Sequence, residues 1–133
     1  MLKQNLHATI PFAAKGTLTA MLELYRFEEN GVHIAYCPSL DLSAAGQTFG
    51  EATKEFEGVF LMHMEDCVAL GTLHEDLIAH GWRMTSKAFN APKATVVIQH
   101  NPVLRDIVNN RTYRRELRGC KLPRCVSQAM AAI

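Results

Sequence analysis

The chain has 133 residues, 48% of them apolar, which is enough for one hydrophobic core and favours a folded protein over a disordered one. Its net charge of +1 is unevenly divided: residues 1–102 hold seven Lys/Arg and eleven Asp/Glu, a charge of −4, and residues 103–133 hold seven and two, a charge of +5. No apolar run approaches the roughly 20 residues of a transmembrane helix, and the N-terminus lacks the apolar segment of a signal peptide. We therefore expect a cytoplasmic protein without a membrane partner.

The first third of the chain predicts antiparallel strands. Residues 6–12 predict a short strand, and residues 17–27 predict a longer one, in which even-numbered apolar residues face one side and aromatic residues mark the other. Asn30-Gly31 predicts a two-residue hairpin turn, because both residue types tolerate positive φ. The return strand ends at a proline, and residues 40–47 predict a third strand.

The pattern then becomes helical. Thr48 and Glu51 have the spacing of a capping box, and an apolar stripe with spacings of three and four predicts a helix from Phe49 to about Leu70. The stripe contains Phe49, Ala52, Phe56, Val59, Phe60, His63, Cys67 and Leu70. Thr72–Glu75 forms a second capping box and predicts a short helix that Gly81 closes.

The remaining residues predict a smaller extension. Residues 84–93 predict a loop, and the β-branched run at residues 95–99 predicts a strand. Asn101-Pro102 predicts an N-cap followed by a short helix to about Asn109. We therefore divide the chain into an α+β domain at residues 1–83 and a C-terminal β/α extension at residues 84–133.

No motif predicts catalysis. The sequence holds no Gly-rich phosphate loop, no H-E-x-x-H and no G-x-S-x-G. His63 and Cys67 have a spacing that suits a metal site or an activated thiol, but both lie in the apolar stripe, so we interpret them as packed core residues. We predict no catalytic, metal-binding or cofactor-binding residues and no cofactor. The alternative is an enzyme with clustered metal-binding carboxylates, for which Asp41 is the one candidate on the strands.

Two charged surfaces are candidates for partner binding. Arg111, Arg114, Arg115 and Arg118 recur at spacings of three and four, so on a helix they would form one stripe for contacting nucleic-acid phosphates. The alternatives are a solubilising tail, or arginines that pair with acidic residues of a second subunit. The acidic surface of the long predicted helix is a candidate protein-binding face through Glu55, Glu65 and Asp66.

The segment from Leu22 to about Glu65 resembles the HicB antitoxin family of toxin–antitoxin systems. The resemblance is carried by Tyr36, Pro38-Ser39-Leu40, Gly46-Gln47-Thr48 and Glu51-Ala52, in the family order of a strand ending in proline, a short strand, G-x-T-x-x-E-A and a long helix. It implies a partial ribonuclease-H-like fold, a β-β-β-α arrangement with a three- to four-stranded antiparallel sheet, without the carboxylates of a nuclease.

The resemblance also implies a function. Family members neutralise a small basic messenger-RNA-cleaving toxin of the HicA type, assemble as homo-oligomers and often repress their own operon through a C-terminal DNA-binding module. The family uses either a ribbon-helix-helix or a helix-turn-helix module, and residues 101–133 match neither of them. We expect a non-enzymatic HicB-like antitoxin, for which operator DNA is a candidate further partner through the basic tail. The alternatives are a solitary HicB-like homo-oligomer with a structural role and no toxin, and a nucleic-acid-processing enzyme of the ribonuclease-H-like type.

Overall fold

The computed structural model describes residues 8–11, 18–85, 88–122 and 124–131, and within these residues the chain is an α+β fold of seven strands and five helices. The strands are β1 (Thr9–Pro11), β2 (Leu18–Glu29), β3 (Val32–Cys37), β4 (Leu42–Gly46), β5 (Arg83–Met84), β6 (Ala88–Asn90) and β7 (Tyr113–Leu122). The helices are α1 (Phe49–Leu70), α2 (Leu73–Ala79), α3 (Ala94–Val97), α4 (Pro102–Asn110) and α5 (Arg124–Ala131). The ends of the first predicted strand, residues 6, 7 and 12, lie outside the described residues.

All the described strands belong to one antiparallel sheet, with β2 at its centre. β7 pairs with β2 over ten residues, from Leu18 opposite Leu122 to Phe27 opposite Tyr113. β3 also pairs with the second half of β2, and β1 meets it at Met21. The strand order β4-β3-β2-β1-β6-β5, with β7 on β2, therefore joins both ends of the chain to the central strand.

The hairpin turn and the long helix lie where the sequence predicts them. Asn30 and Gly31 have φ angles of 53° and 79°, as a two-residue hairpin turn requires. The Glu51 N–H donates to Thr48 Oγ1 at 3.0 Å and caps α1, and Gly71 ends the helix in the left-handed conformation with φ 69°. A Cβ on Gly46 would lie 2.6 Å from the Ala52 nitrogen, so this glycine allows β4 to approach the first turn of α1.

The sheet has a hydrophobic core on each face. On one face α1 and α5 cover even-numbered residues of β2. The large buried side chains there include Leu22, Leu24, Phe56, Phe60, Met64, Leu77, Trp82, Phe89 and Met130. On the other face α4 packs Leu104 and Ile107 against Tyr25, Phe27 and Tyr36. The predicted α+β class and the long helix across the sheet are confirmed, as is the predicted division of β2 into two faces.

Four local predictions are wrong. Residues 94–97 form helix α3 rather than a strand, because Val97 and Ile98 pack against the second core from a helical turn. Residues 84–93 include strand β6, which pairs with β1. The arginine-rich segment is strand β7, so its arginines do not form a helical stripe. Thr72 precedes α2 but makes no side-chain capping hydrogen bond to it.

The segment predicted as an extension is built into the same sheet as the rest of the chain. β6 pairs with β1, β7 pairs with β2, and the proposed boundary at residue 83 falls within β5. Along the described ranges, no helix is both long enough and apolar enough to cross a membrane.

Candidate functional site

The exposed side of α1 is acidic. Residues 51, 55, 58, 62, 65, 66 and 69 share this side of a helix with 3.6 residues per turn, opposite the buried phenylalanines. Glu51, Glu55, Glu65 and Asp66 are exposed, and none of the four carboxylates forms a salt bridge with another described residue. We call these four residues the acidic face. It contains all three residues that the sequence proposes for partner binding.

Two exposed apolar side chains accompany the acidic face. Met62 lies at its centre and is 64% exposed, and Leu70 at the end of α1 is 76% exposed. Sequence periodicity places Leu70 in the buried stripe, but the helix ends there and the side chain points away from the core. Apolar anchors surrounded by charge are typical of protein-binding surfaces, because their burial supplies affinity while the charges orient the partner.

Arg115 is not free to bind nucleic acid, because it belongs to a buried polar group beneath β7. Arg115 Nε lies 3.0 Å from Glu23 Oε1, and both side chains are largely buried. The Tyr25 hydroxyl donates to the same Glu23 oxygen at 2.6 Å. Burial, followed by this hydrogen bond to Glu23, raises the pKa of Tyr25 well above its ordinary value. The group fixes β7 to the central strand.

Arg118 and Arg111 are also engaged within the chain. On the opposite face of β7 from Arg115, Arg118 contacts Glu57 of α1 with both Nε and Nη2. Arg111 follows α4, and its Nε donates to Asp106 Oδ2 at 2.9 Å. These contacts neutralise two more of the four arginines that the sequence proposes for nucleic-acid binding.

The four arginines therefore do not form a common surface. Arg114 is exposed and forms no salt bridge with a described residue, whereas the other three have carboxylate partners. Arg114 and Arg118 also lie on the opposite face of the strand from Arg115, because side chains alternate along a strand. A single isolated guanidinium is a weak basis for phosphate binding, since affinity grows with the number of phosphates contacted.

A second cluster lies at the junction of α1 and α2. His63 Nε2 is 2.9 Å from Asp76 Oδ2 and 3.7 Å from Cys67 Sγ. Sequence periodicity finds His63 and Cys67 but not Asp76, which the left-handed turn at Gly71 brings alongside them. Burial, and then the negative charge of Asp76, raise the pKa of the Cys67 thiol above its ordinary value. This is not the arrangement of a catalytic triad, because the thiol and the carboxylate contact the same ring nitrogen.

Asp41 has a structural role that differs from the metal ligand considered above. It lies in the turn between β3 and β4 with φ 54° and accepts a hydrogen bond from the Tyr36 hydroxyl at 2.8 Å. Asn101 Nδ2 donates to the same hydroxyl at 2.8 Å. Asp41 belongs to no group of three potential metal ligands in the described ranges. Through the shared Tyr36 hydroxyl, Asp41 links the β3–β4 turn to Asn101 at the start of α4.

Comparison of the chain with protein-family models, curated proteins and solved structures gave no match. The resemblance to HicB antitoxins rests on the residues quoted above.

Proposed function

We propose that this protein is a non-catalytic, cytoplasmic binding protein, a HicB-like antitoxin that neutralises a small basic toxin of the HicA type. The observation that carries the proposal is the acidic face of α1. Its four carboxylates are exposed without a salt-bridge partner among the described residues, and Lys54 is the one Lys or Arg on this helix. The HicB-like residues indicate the family, and the acidic face indicates that the partner is basic.

The charge arrangement favours a protein partner over nucleic acid. Exposed carboxylates repel phosphates and accelerate encounter with a basic protein. Met62 lies among the carboxylates and would be buried on contact, which would add hydrophobic affinity. Three of the four tail arginines already have carboxylate partners, so operator binding through an arginine stripe is not part of the proposal.

Co-expression with the product of the neighbouring small open reading frame tests the proposal. We expect this product to be a small basic protein that co-purifies with the chain. We also expect co-expression to relieve the growth inhibition that the product causes when expressed alone. The double change Glu55→Lys and Asp66→Lys should abolish both effects. The control is Glu28→Lys and Glu75→Lys, which alters the charge equally at two exposed carboxylates outside α1. A neighbour that is not basic, or binding that is equally sensitive to both variants, would reject the proposal.

The open edge of β7 favours self-association as a second candidate function. β7 pairs only with β2 in the described residues, so its other edge presents ten residues of backbone. In an antiparallel pair centred on Leu117, Glu116 of one copy would face Arg118 of the other. Light scattering should show a dimer that Arg118→Glu weakens and that the exchange Glu116→Arg with Arg118→Glu restores. A monomer, or a dimer that Arg118→Glu leaves unchanged, would exclude this interface.

A further inference from the structure

We propose that His63, Cys67 and Asp76 form a zinc-binding site between α1 and α2, with the fourth coordination position open to water. One ligand atom from each side chain lies within 4.8 Å of the other two. The three residues supply an imidazole nitrogen, a thiol and a carboxylate, which are the three ligand types that zinc takes in proteins. Magnesium and calcium avoid thiolates, so the ligand set selects zinc or a similar transition metal.

The distances agree with tetrahedral coordination. With Zn–S of about 2.3 Å and Zn–N of about 2.0–2.1 Å, the two ligand atoms stand roughly 3.6 Å apart, and Cys67 Sγ lies 3.7 Å from His63 Nε2. The His63–Asp76 separation of 2.9 Å is that of a hydrogen bond. It would widen to roughly 3.4 Å when the metal replaces the shared proton.

The backbone holds the ligands on regular elements. His63 and Cys67 lie one turn apart on α1, and Asp76 lies on α2 after the tight turn at Gly71. His80 supports Asp76, because its Nδ1–H donates to the Asp76 carbonyl oxygen at 2.8 Å. This hydrogen bond holds the main chain at Asp76, whereas the carboxylate that would bind the metal contacts His63.

A metal ion can reach the site from the surrounding water. The side chains of His63 and Asp76 are 23% and 20% exposed, whereas Cys67 lies beneath them with 7% exposure. A metal can therefore enter from solvent and release the thiol proton on binding. Three protein ligands and one open position resemble the coordination of zinc sites that bind water.

Cobalt(II) titration of the full chain under reducing conditions tests the proposal. The starting protein carries Cys125→Ser, because Cys125 is the exposed thiol and could bind metal adventitiously. We expect one equivalent of cobalt to produce thiolate-to-cobalt absorption in the near ultraviolet and the visible bands of a tetrahedral ion, both removed by added zinc.

Variants assign the ligands. Cys67→Ser should remove the thiolate absorption. Asp76→Asn keeps a hydrogen bond to His63, yet it should weaken binding by more than about 100-fold, since outer contacts alone account for about 10- to 100-fold. His100→Gln, at an exposed histidine away from the cluster, is the matched control and should leave binding unchanged.

The result that overturns the proposal is no thiolate absorption, or thiolate absorption that survives Cys67→Ser. Equal affinity in Asp76→Asn also overturns it. Should Cys67→Ser fail to fold, the starting protein and the more exposed Asp76→Asn still decide the outcome. Zinc should also raise the melting temperature of the starting protein and leave that of Asp76→Asn unchanged, because the metal joins two helices only in the folded state.

Discussion

Gly46 shows how a single residue can determine the packing of α1 against the sheet. It lies at the end of β4, and a Cβ there would lie 2.6 Å from the Ala52 nitrogen and 2.9 Å from Glu51 Cβ. The obstacle at Ala52 is helix backbone, which cannot turn aside as a side chain can. The glycine of the G-x-T-x-x-E-A sequence thus has a steric role that is independent of any ligand.

Gly46→Ala should destabilise the protein by about 1–3 kcal/mol, the usual cost of overpacking a close contact. Gly58→Ala is the control, because Gly58 lies inside α1 with open space around it. That change should stabilise by up to about 1 kcal/mol through helix propensity. Urea unfolding measures both, and effects of the same sign would contradict the steric explanation.

Asn101 joins two elements through one side chain. Its Oδ1 accepts from the Leu104 N–H at 2.9 Å and caps α4, and its Nδ2 donates to the Tyr36 hydroxyl. Asn101→Ala should destabilise by about 2 kcal/mol, from the loss of a cap and of one further hydrogen bond. Asn101→Ser keeps a capping oxygen but cannot reach Tyr36, so we expect about half that loss in urea unfolding. Equal losses would show that capping contributes little.

At the scale of elements, β7 differs most from what its sequence suggests. Arginine spacings of three and four indicate a helical stripe, whereas the strand is held by its neighbours. Cys120 and Leu122 face the α1 core, and Tyr113 faces the second core. The pairing with β2 and the carboxylates of Glu23 and Glu57 are distant in sequence, so local spacing could not reveal them.

The two ion pairs of β7 should differ in strength because their exposure differs. Glu23→Gln removes the negative charge 3.0 Å from Arg115 Nε, at a pair of largely buried side chains, which should cost roughly 3 kcal/mol. Glu57→Gln removes the partner of Arg118, where both side chains are about two-fifths exposed, so solvent screening should keep the loss below about 1 kcal/mol. Denaturant unfolding compares them, and similar losses would contradict the assigned difference in burial.

Local signals predicted the elements that local interactions determine. Asn30-Gly31, the Thr48 cap and the apolar stripe are each contained within a few residues, and the hairpin and α1 follow them. The helix at residues 94–97 could not be predicted in this way, because its β-branched residues favour a strand and only tertiary packing makes them helical. Helical periodicity likewise identified Glu55, Glu65 and Asp66 as exposed. It could not identify Asp76 as a neighbour of Cys67, because the two residues lie on different helices.

At the scale of the whole molecule, buried thiols make the free energy of unfolding depend on pH in the alkaline range. Burial raises the pKa of Cys37 from 9.0 to about 11 and that of Cys120 from 9.0 to about 12. Above pH 9 the unfolded chain loses these protons while the folded chain keeps them. The stabilisation is therefore complete below pH 9 and decreases as the pH rises toward 11 and 12.

We expect the free energy of unfolding to fall by up to about 1.4 kcal/mol per pH unit for each buried thiol above pH 9. Cys120→Ala should reduce this slope, whereas Cys125→Ala, at the exposed thiol, should leave it unchanged. Tyr25 and Tyr36 also have raised pKa values and act in the same direction in all three proteins. Urea unfolding across pH 8–11 provides the measurement. An unchanged slope in Cys120→Ala would refute the assignment.

The pairing of β7 with β2 has a consequence for biosynthesis. β2 ends at residue 29 and β7 begins at residue 113, so the 83 residues 30–112 lie between the two strands that share ten paired positions. At about 5–20 residues per second, a ribosome needs roughly 4–17 s to synthesise the residues between the two strands. During this interval the central strand has an unpaired edge, and the sheet can close only after translation has passed residue 122. Completion of the fold is therefore a late event, and a chaperone that shields β2 would act before it.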